Sequence, residues 1–169
     1  WRRTPAEPTV RVSVAFPVGE KIRAAATRRF ALSRDGARVV YVGADTVSGD
    51  QLWVRELNSL NGRPLPGTNG ALAPFFSPDG QSVAFFTGNP GDLRVVSING
   101  GPSRTVVRDS AVPWGGDWDE DGTIYFTSSR SIVTRVLAAG GAIQRVSTLD
   151  SAAGVNEHDW AQVLPGGKL

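Results

Sequence analysis

Ser77-Pro78-Asp79-Gly80 followed by Gln81-Ser82-Val83-Ala84-Phe85-Phe86 is a tight turn that leads straight into an apolar run, and the same arrangement recurs along the chain. Ser33-Arg34-Asp35-Gly36 precedes Val39-Val40-Tyr41-Val42, and Asp119-Glu120-Asp121-Gly122 precedes Thr123-Ile124-Tyr125-Phe126. Leu164-Pro165-Gly166-Gly167 is a degenerate fourth copy. The turn glycines Gly36, Gly80, Gly122 and Gly167 stand 44, 42 and 45 residues apart. A period of roughly 40–45 residues made of strands and turns marks propeller blades. One blade cannot bury both of its faces alone, so such repeats stack around an axis.

Working outward from the turns, each unit reads as four strands: an inner strand, a strongly apolar second strand, a third, and a weaker outer one. In the first unit they are expected near 27–32, 38–43, 51–57 and 63–66. In the second they fall near 72–76, 82–87, 92–98 and 103–107, and in the third near 112–118, 123–127, 132–138 and 143–148. The fold expected is all-β, a partial β-propeller of about three four-stranded antiparallel blades plus the start of a fourth. Its blades lie near 27–66, 71–108 and 111–149, with the next beginning at 157–169. Residues 1–8 read as a Pro-containing linker, and Val10, Val12, Val14 and Phe16 alternate as a half-buried strand within the 9–169 propeller region. The second strands are apolar at consecutive positions, as befits a sheet packed between two others.

The turn has a backbone explanation. Pro78 presets the φ of the first central residue, Asp79 accepts the second position, and Gly80 takes the positive φ that closes a bulged hairpin. Arg34 and Glu120 replace the proline in the other copies while Asp35, Gly36, Asp121 and Gly122 keep the rest.

Composition narrows the function. The chain has 169 residues, is 40% hydrophobic and 20% charged, and falls with globular proteins. It holds no cysteine, which excludes disulfides and cysteine-based metal sites. No run of 18 apolar residues is present to span a membrane as a helix. The net charge of +2 is uneven: residues 1–34 carry eight Arg or Lys against two acids. The bases are not interleaved with aromatics on a repeating face, which argues against nucleic acid as a partner. No nucleophile elbow, zinc-protease, phosphate-loop or kinase signature occurs, and no cofactor is expected.

Asp117-Trp118-Asp119-Glu120-Asp121-Gly122 has the spacing of a calcium loop, in which alternate carboxylates converge on one ion. Ser128 stands where an EF-hand needs its bidentate glutamate, and the string coincides with the repeat's own turn. It is read as a hairpin turn, with Asp117, Asp119 and Asp121 as the competing metal candidates. His158, the single histidine, is expected to hydrogen-bond on an inner strand beside the channel. Trp114, Trp118 and Trp160 are expected in packing between blades, with lining of a channel mouth as the other reading. Trp53 should pack on a neighbouring blade.

Ala73-Pro74-Phe75-Phe76-Ser77-Pro78-Asp79-Gly80 and the run to Phe86 resemble the WD40-like (PD40) repeat of TolB-type β-propellers. Gly115-Gly116-Asp117-Trp118 with Gly122-Thr123-Ile124-Tyr125-Phe126, and His158-Asp159-Trp160 with Leu164-Pro165-Gly166-Gly167-Lys168, resemble a subgroup. These are the C-terminal extracytoplasmic propellers of bacterial transmembrane serine/threonine kinases. The resemblance covers roughly residues 9–169 and implies a non-catalytic sensing or protein-interaction module on the periplasmic side of the membrane. It would take a protein or small ligand at the propeller face, and residues 1–8 would be the juxtamembrane linker after an upstream helix. Two alternatives remain: the accessory propeller of a prolyl-oligopeptidase-like hydrolase, and a soluble TolB-like periplasmic scaffold.

Overall fold

The computed structural model describes residues 27–45, 49–88 and 90–164. The expected linker 1–8, the strand Val10–Phe16 and the turn at Gly167 lie outside the described residues. Eleven strands run through the described chain. They are β1 (Phe30–Leu32), β2 (Arg38–Asp45), β3 (Gly49–Glu56), β4 (Arg63–Pro64), β5 (Ala71–Phe76) and β6 (Ser82–Gly88), then β7 (Gly91–Ser97), β8 (Arg104–Trp118), β9 (Thr123–Ser128), β10 (Val133–Leu137) and β11 (Gln144–Arg145). Every pairing is antiparallel. The first blade is the sheet β1-β2-β3-β4.

The second and third blades form one continuous ladder, β5 through β11, because β8 belongs to both. Its first half is the second blade's outer strand, pairing Arg104 with Val95 and Val107 with Leu93. Its second half is the third blade's inner strand, pairing Gly116 with Phe126 and Trp118 with Ile124. Two separate strands, near 103–107 and 112–118, are expected from the sequence; here they run on as one strand, with a bulge between them at which Asp109 takes φ 45° and the ladder to β7 slips between Leu93 and Gly91. Pro74 sits in β5 without breaking it, because β5 is an edge strand whose ladder slips between Leu72 and Phe75.

Period-two alternation explains the cores. Val83 and Phe85 of β6 point to one face and pack with Val40, Val42, Leu52 and Val54 of the first blade. Ala84 and Phe86 point to the other face and pack with Ile124, Phe126 and Val136 of the third. All four β6 residues are fully buried, so the middle blade is the filling between two others. This is the physical reason its second strand has no polar face.

Past β11 a short 3-10 turn, Ser151–Ala153, leads to an irregular segment in which Leu164 forms a single bridge. The expected inner strand of a fourth blade is therefore not a regular strand over 157–163.

Candidate functional site

The three turns are built alike, and their aspartates do the same work. The Ser77 hydroxyl donates to Asp79 Oδ1 at 2.6 Å and accepts from the Ser82 N–H at 2.9 Å. Asp79 Oδ1 also accepts from the Gln81 N–H at 3.0 Å. Ser33 and Asp35 repeat every contact, with Ala37 and Arg38 as the backbone donors. In the third copy Asp121 accepts from the Thr123 N–H at 2.8 Å, while Asp119 takes the serine's place and accepts from the Glu120 N–H. The Ser77 hydroxyl first, then the Gln81 N–H, hold the Asp79 carboxyl below the usual carboxylate range. Ser33 and Ala37 do the same for Asp35. Gly36, Gly80 and Gly122 close the turns at φ of 67°, 66° and 86°, in the left-handed region where a side chain is strained. Pro78 stands half-buried between Ser77 and Asp79.

Arg34 and Glu120, the two residues that replace the turn proline, meet across the inner end of the blades. Arg34 Nη2 donates to the Trp118 carbonyl at 2.9 Å, and Nη1 lies 3.3 Å from Glu120 Oε1. This contact ties the first blade's turn to the third blade's. Below it, the inner strands border a cleft of about 320 Å³ lined by Arg28, Phe30, Arg34, Phe75, Phe76 and Asp117.

The acidic string does not converge on one point. Asp117 accepts from the Trp118 N–H at one oxygen and from the Val163 N–H at the other, each at 2.9 Å. Asp119 and Asp121 are each turned to their own turn backbone. Among the described residues no group of three His, Cys, Asp or Glu side chains is placed to hold a metal.

The aromatic candidates separate. Trp118 is buried in the core between the second and third blades, and Trp114 is half-buried. Trp160 is 48% exposed at φ 59°, with the Arg28 guanidinium 5.8 Å from its ring centroid. It therefore stands outside the interblade core, beside Arg28 of the cleft. His158 docks the irregular segment to the third blade. Its N–H donates to the Ser131 carbonyl at 2.8 Å, its carbonyl accepts from Thr127, and its Nδ1 is 2.7 Å from the Ser147 hydroxyl. Trp53 lies over Gly43 on its own sheet, where a Cβ at position 43 would come within 2.6 Å of the indole. That face is the one turned away from the second blade, since neighbouring Val54 takes the side toward it.

Sequence reasoning located the turns but missed the Arg34 tie and the cleft. The signal was present in one respect: the two departures from proline carry opposite charges at equivalent positions.

No protein-family model matches the chain. A curated relative, the Tol-Pal system protein TolB of Anaeromyxobacter dehalogenans, is 31% identical over 87 residues, which is 50% of this chain and 20% of that protein. The crystal structure of TolB from Acinetobacter baumannii superposes with a TM-score of 0.60 at 21% identity, covering 72% of this chain and 32% of that one. The β-propeller domain of Cps50 (Swd1) from Myceliophteria thermophila gives a TM-score of 0.56 at 15% identity, over 79% of this chain and 43% of that one. The fold is a TolB-like β-propeller, and the chain spans a fifth of the curated relative it matches.

Proposed function

We propose that this chain is a non-catalytic binding module of an extracytoplasmic propeller protein, taking a protein or small ligand at the inner end of its blades. The observation that carries the reading is the cleft where inner strands of three blades converge, with Arg28, Arg34, Phe30 and Phe75 around it. Guanidinium groups beside aromatic rings suit recognition of a surface that is part anionic and part apolar. The likeness to TolB supports the extracytoplasmic location and a soluble scaffold. The kinase-linked receptor form of this reading rests on the sequence resemblance of Gly115–Trp118 and His158–Trp160.

Two experiments test the proposal. Alkaline phosphatase fused after Leu169 in the intact protein should be active, and a cytoplasmic fluorescent protein at the same point should be dark; the reverse pattern removes the extracytoplasmic reading. A photo-crosslinking amino acid at position 28 should trap a partner or ligand that the same group at exposed Arg108 does not. Equal adducts from both positions, or none from position 28, would count against binding at the cleft.

A further inference from the structure

The blades are joined by a second repeated contact, on their outer strands. Arg63 of β4 donates from Nη2 to the Ile98 carbonyl of the following blade at 2.5 Å. Arg104 at the start of β8 donates from Nη2 to the Ala138 carbonyl of the blade after that. The register shows that these are one position and one target. Arg63 pairs with Val54 and Arg104 with Val95, the corresponding residues of β3 and β7. Leu57, Ile98 and Ala138 are equivalent because each N–H donates to its own blade's turn, to Ala37, Gln81 and Gly122 at 2.8, 3.0 and 2.8 Å.

In the third blade the position of Arg63 and Arg104 is held by Gln144, which pairs with Arg135 of β10. The guanidinium has moved one strand inward without leaving the place. Arg135 Nε donates to Gln144 Oε1 at 2.9 Å, and among the described residues its two Nη groups have no hydrogen bond. Both side chains open on a cavity of about 370 Å³ lined also by Thr123, Leu137, Gly140 and Gly141. Leu137, on the same face of β10, is 56% exposed. On the earlier blades this face is covered: Val54 and Val95, the equivalents of Arg135, are 3% and 9% exposed.

We propose that Arg135, oriented by Gln144, is the third member of this clasp, and that its face of β10 and β11 docks a further blade of the same repeat through the carbonyl that ends that blade's third strand. The occupant is set by continuity: the same guanidinium-to-carbonyl contact already joins the first blade to the second and the second to the third. A carbonyl is the fitting partner because a guanidinium carries only donors. The inference rests on the fold and is independent of the binding role proposed above.

The test is arginine modification by phenylglyoxal in the intact protein, mapped by mass spectrometry. Arg63 and Arg104, exposed residues whose guanidinium is held by a carbonyl, calibrate the clasped state, and Arg108 and Arg130, also exposed, calibrate the unclasped one. Arg135 is expected to react at the clasped rate, roughly tenfold or more below the unclasped one, as a hydrogen bond to a charged group that must open would impose. In parallel, Arg135→Gln should lower the melting temperature about as much as Arg104→Gln, and Arg108→Gln should leave it unchanged. Arg135 reacting as fast as Arg130, or Arg135→Gln melting with the Arg108 variant, would overturn the proposal. Fast reaction of Arg63 and Arg104 as well would remove the clasp from all three blades.

Discussion

Phe85→Ala and Phe86→Ala, made separately in the middle blade, should both be severe. The two side chains are neighbours in sequence, and each is completely buried. They point to opposite faces of β6, Phe85 into the core shared with the first blade and Phe86 into the core shared with the third. Phe86 also stacks on Phe75 in a tilted pair with centroids 6.1 Å apart. Removing either ring loses its transfer free energy and leaves a cavity that two facing sheets cannot readily close, about 3–5 kcal/mol each. In a chain of this size each kcal/mol moves the melting temperature by roughly 2–4 °C, so each variant should melt about 6–20 °C below the parent. Urea unfolding of the intact protein, followed by tryptophan fluorescence, measures the loss; Trp118 reports on the core beside Phe86. A sheet with one solvated face would give one severe variant and one mild one. A loss below about 1 kcal/mol in either variant would refute the two-faced packing of the middle blade.

The turn geometry predicts that Gly122→Val, at φ 86°, costs about 1–3 kcal/mol, whereas Asp117→Asn with Asp119→Asn stays within about 1 kcal/mol of the parent. Differential scanning calorimetry with and without calcium checks both; a calcium-dependent rise in melting temperature that the asparagine variants abolish would restore the metal reading. Asp79 titrates below its unfolded value, so its contribution is complete above about pH 5 and is lost as the pH falls through its folded pKa. Stability measured across that window should fall more steeply for the parent than for Asp79→Asn, whose amide oxygen still accepts from Ser77 and Gln81; parallel curves would count against the assignment. Glu120→Ala should cost less than about 1 kcal/mol, because the pair with Arg34 is exposed. Arg34→Ala should cost more, since it also strips the Trp118 carbonyl of its donor, and equal losses in denaturant titrations would argue against the tie.

Much of this fold was legible in sequence because its signals are local. The second strands β2, β6 and β9 fall on the runs beginning at Val39, Val83 and Thr123, and the turn residues follow from backbone preferences of Asp and Gly. The fusion of two expected strands into β8 was hidden, since the chain passes from one blade to the next through a bulge at Asp109, φ 45°, rather than through a loop. The irregular course of 157–163 was also hidden, because His158 spends its main-chain groups on Ser131 and Thr127 rather than on a ladder. The site was harder to read. Arg34 meets Trp118 and Glu120 across more than eighty residues, and Arg63 and Arg104 reach into the next blade. Such contacts leave no periodicity behind. Only comparison of equivalent positions across repeats, arginine at 63 and 104 or opposite charges at 34 and 120, gives them away.

The stacking of blades around a common axis is most directly tested by distances between spin labels. The chain contains no cysteine, so pairs can be introduced cleanly. One pair, at Asp35 and Glu120, marks the inner turns of the first and third blades; a second, at Asn61 and Ala142, marks the hairpins leading to their outer strands. Double electron–electron resonance should give a clearly shorter separation for the inner pair, where Arg34 already reaches Glu120, than for the outer pair, because blades diverge away from the axis. Equal separations, or a longer inner one, would mean that the sheets lie flat against one another, and would contradict the propeller.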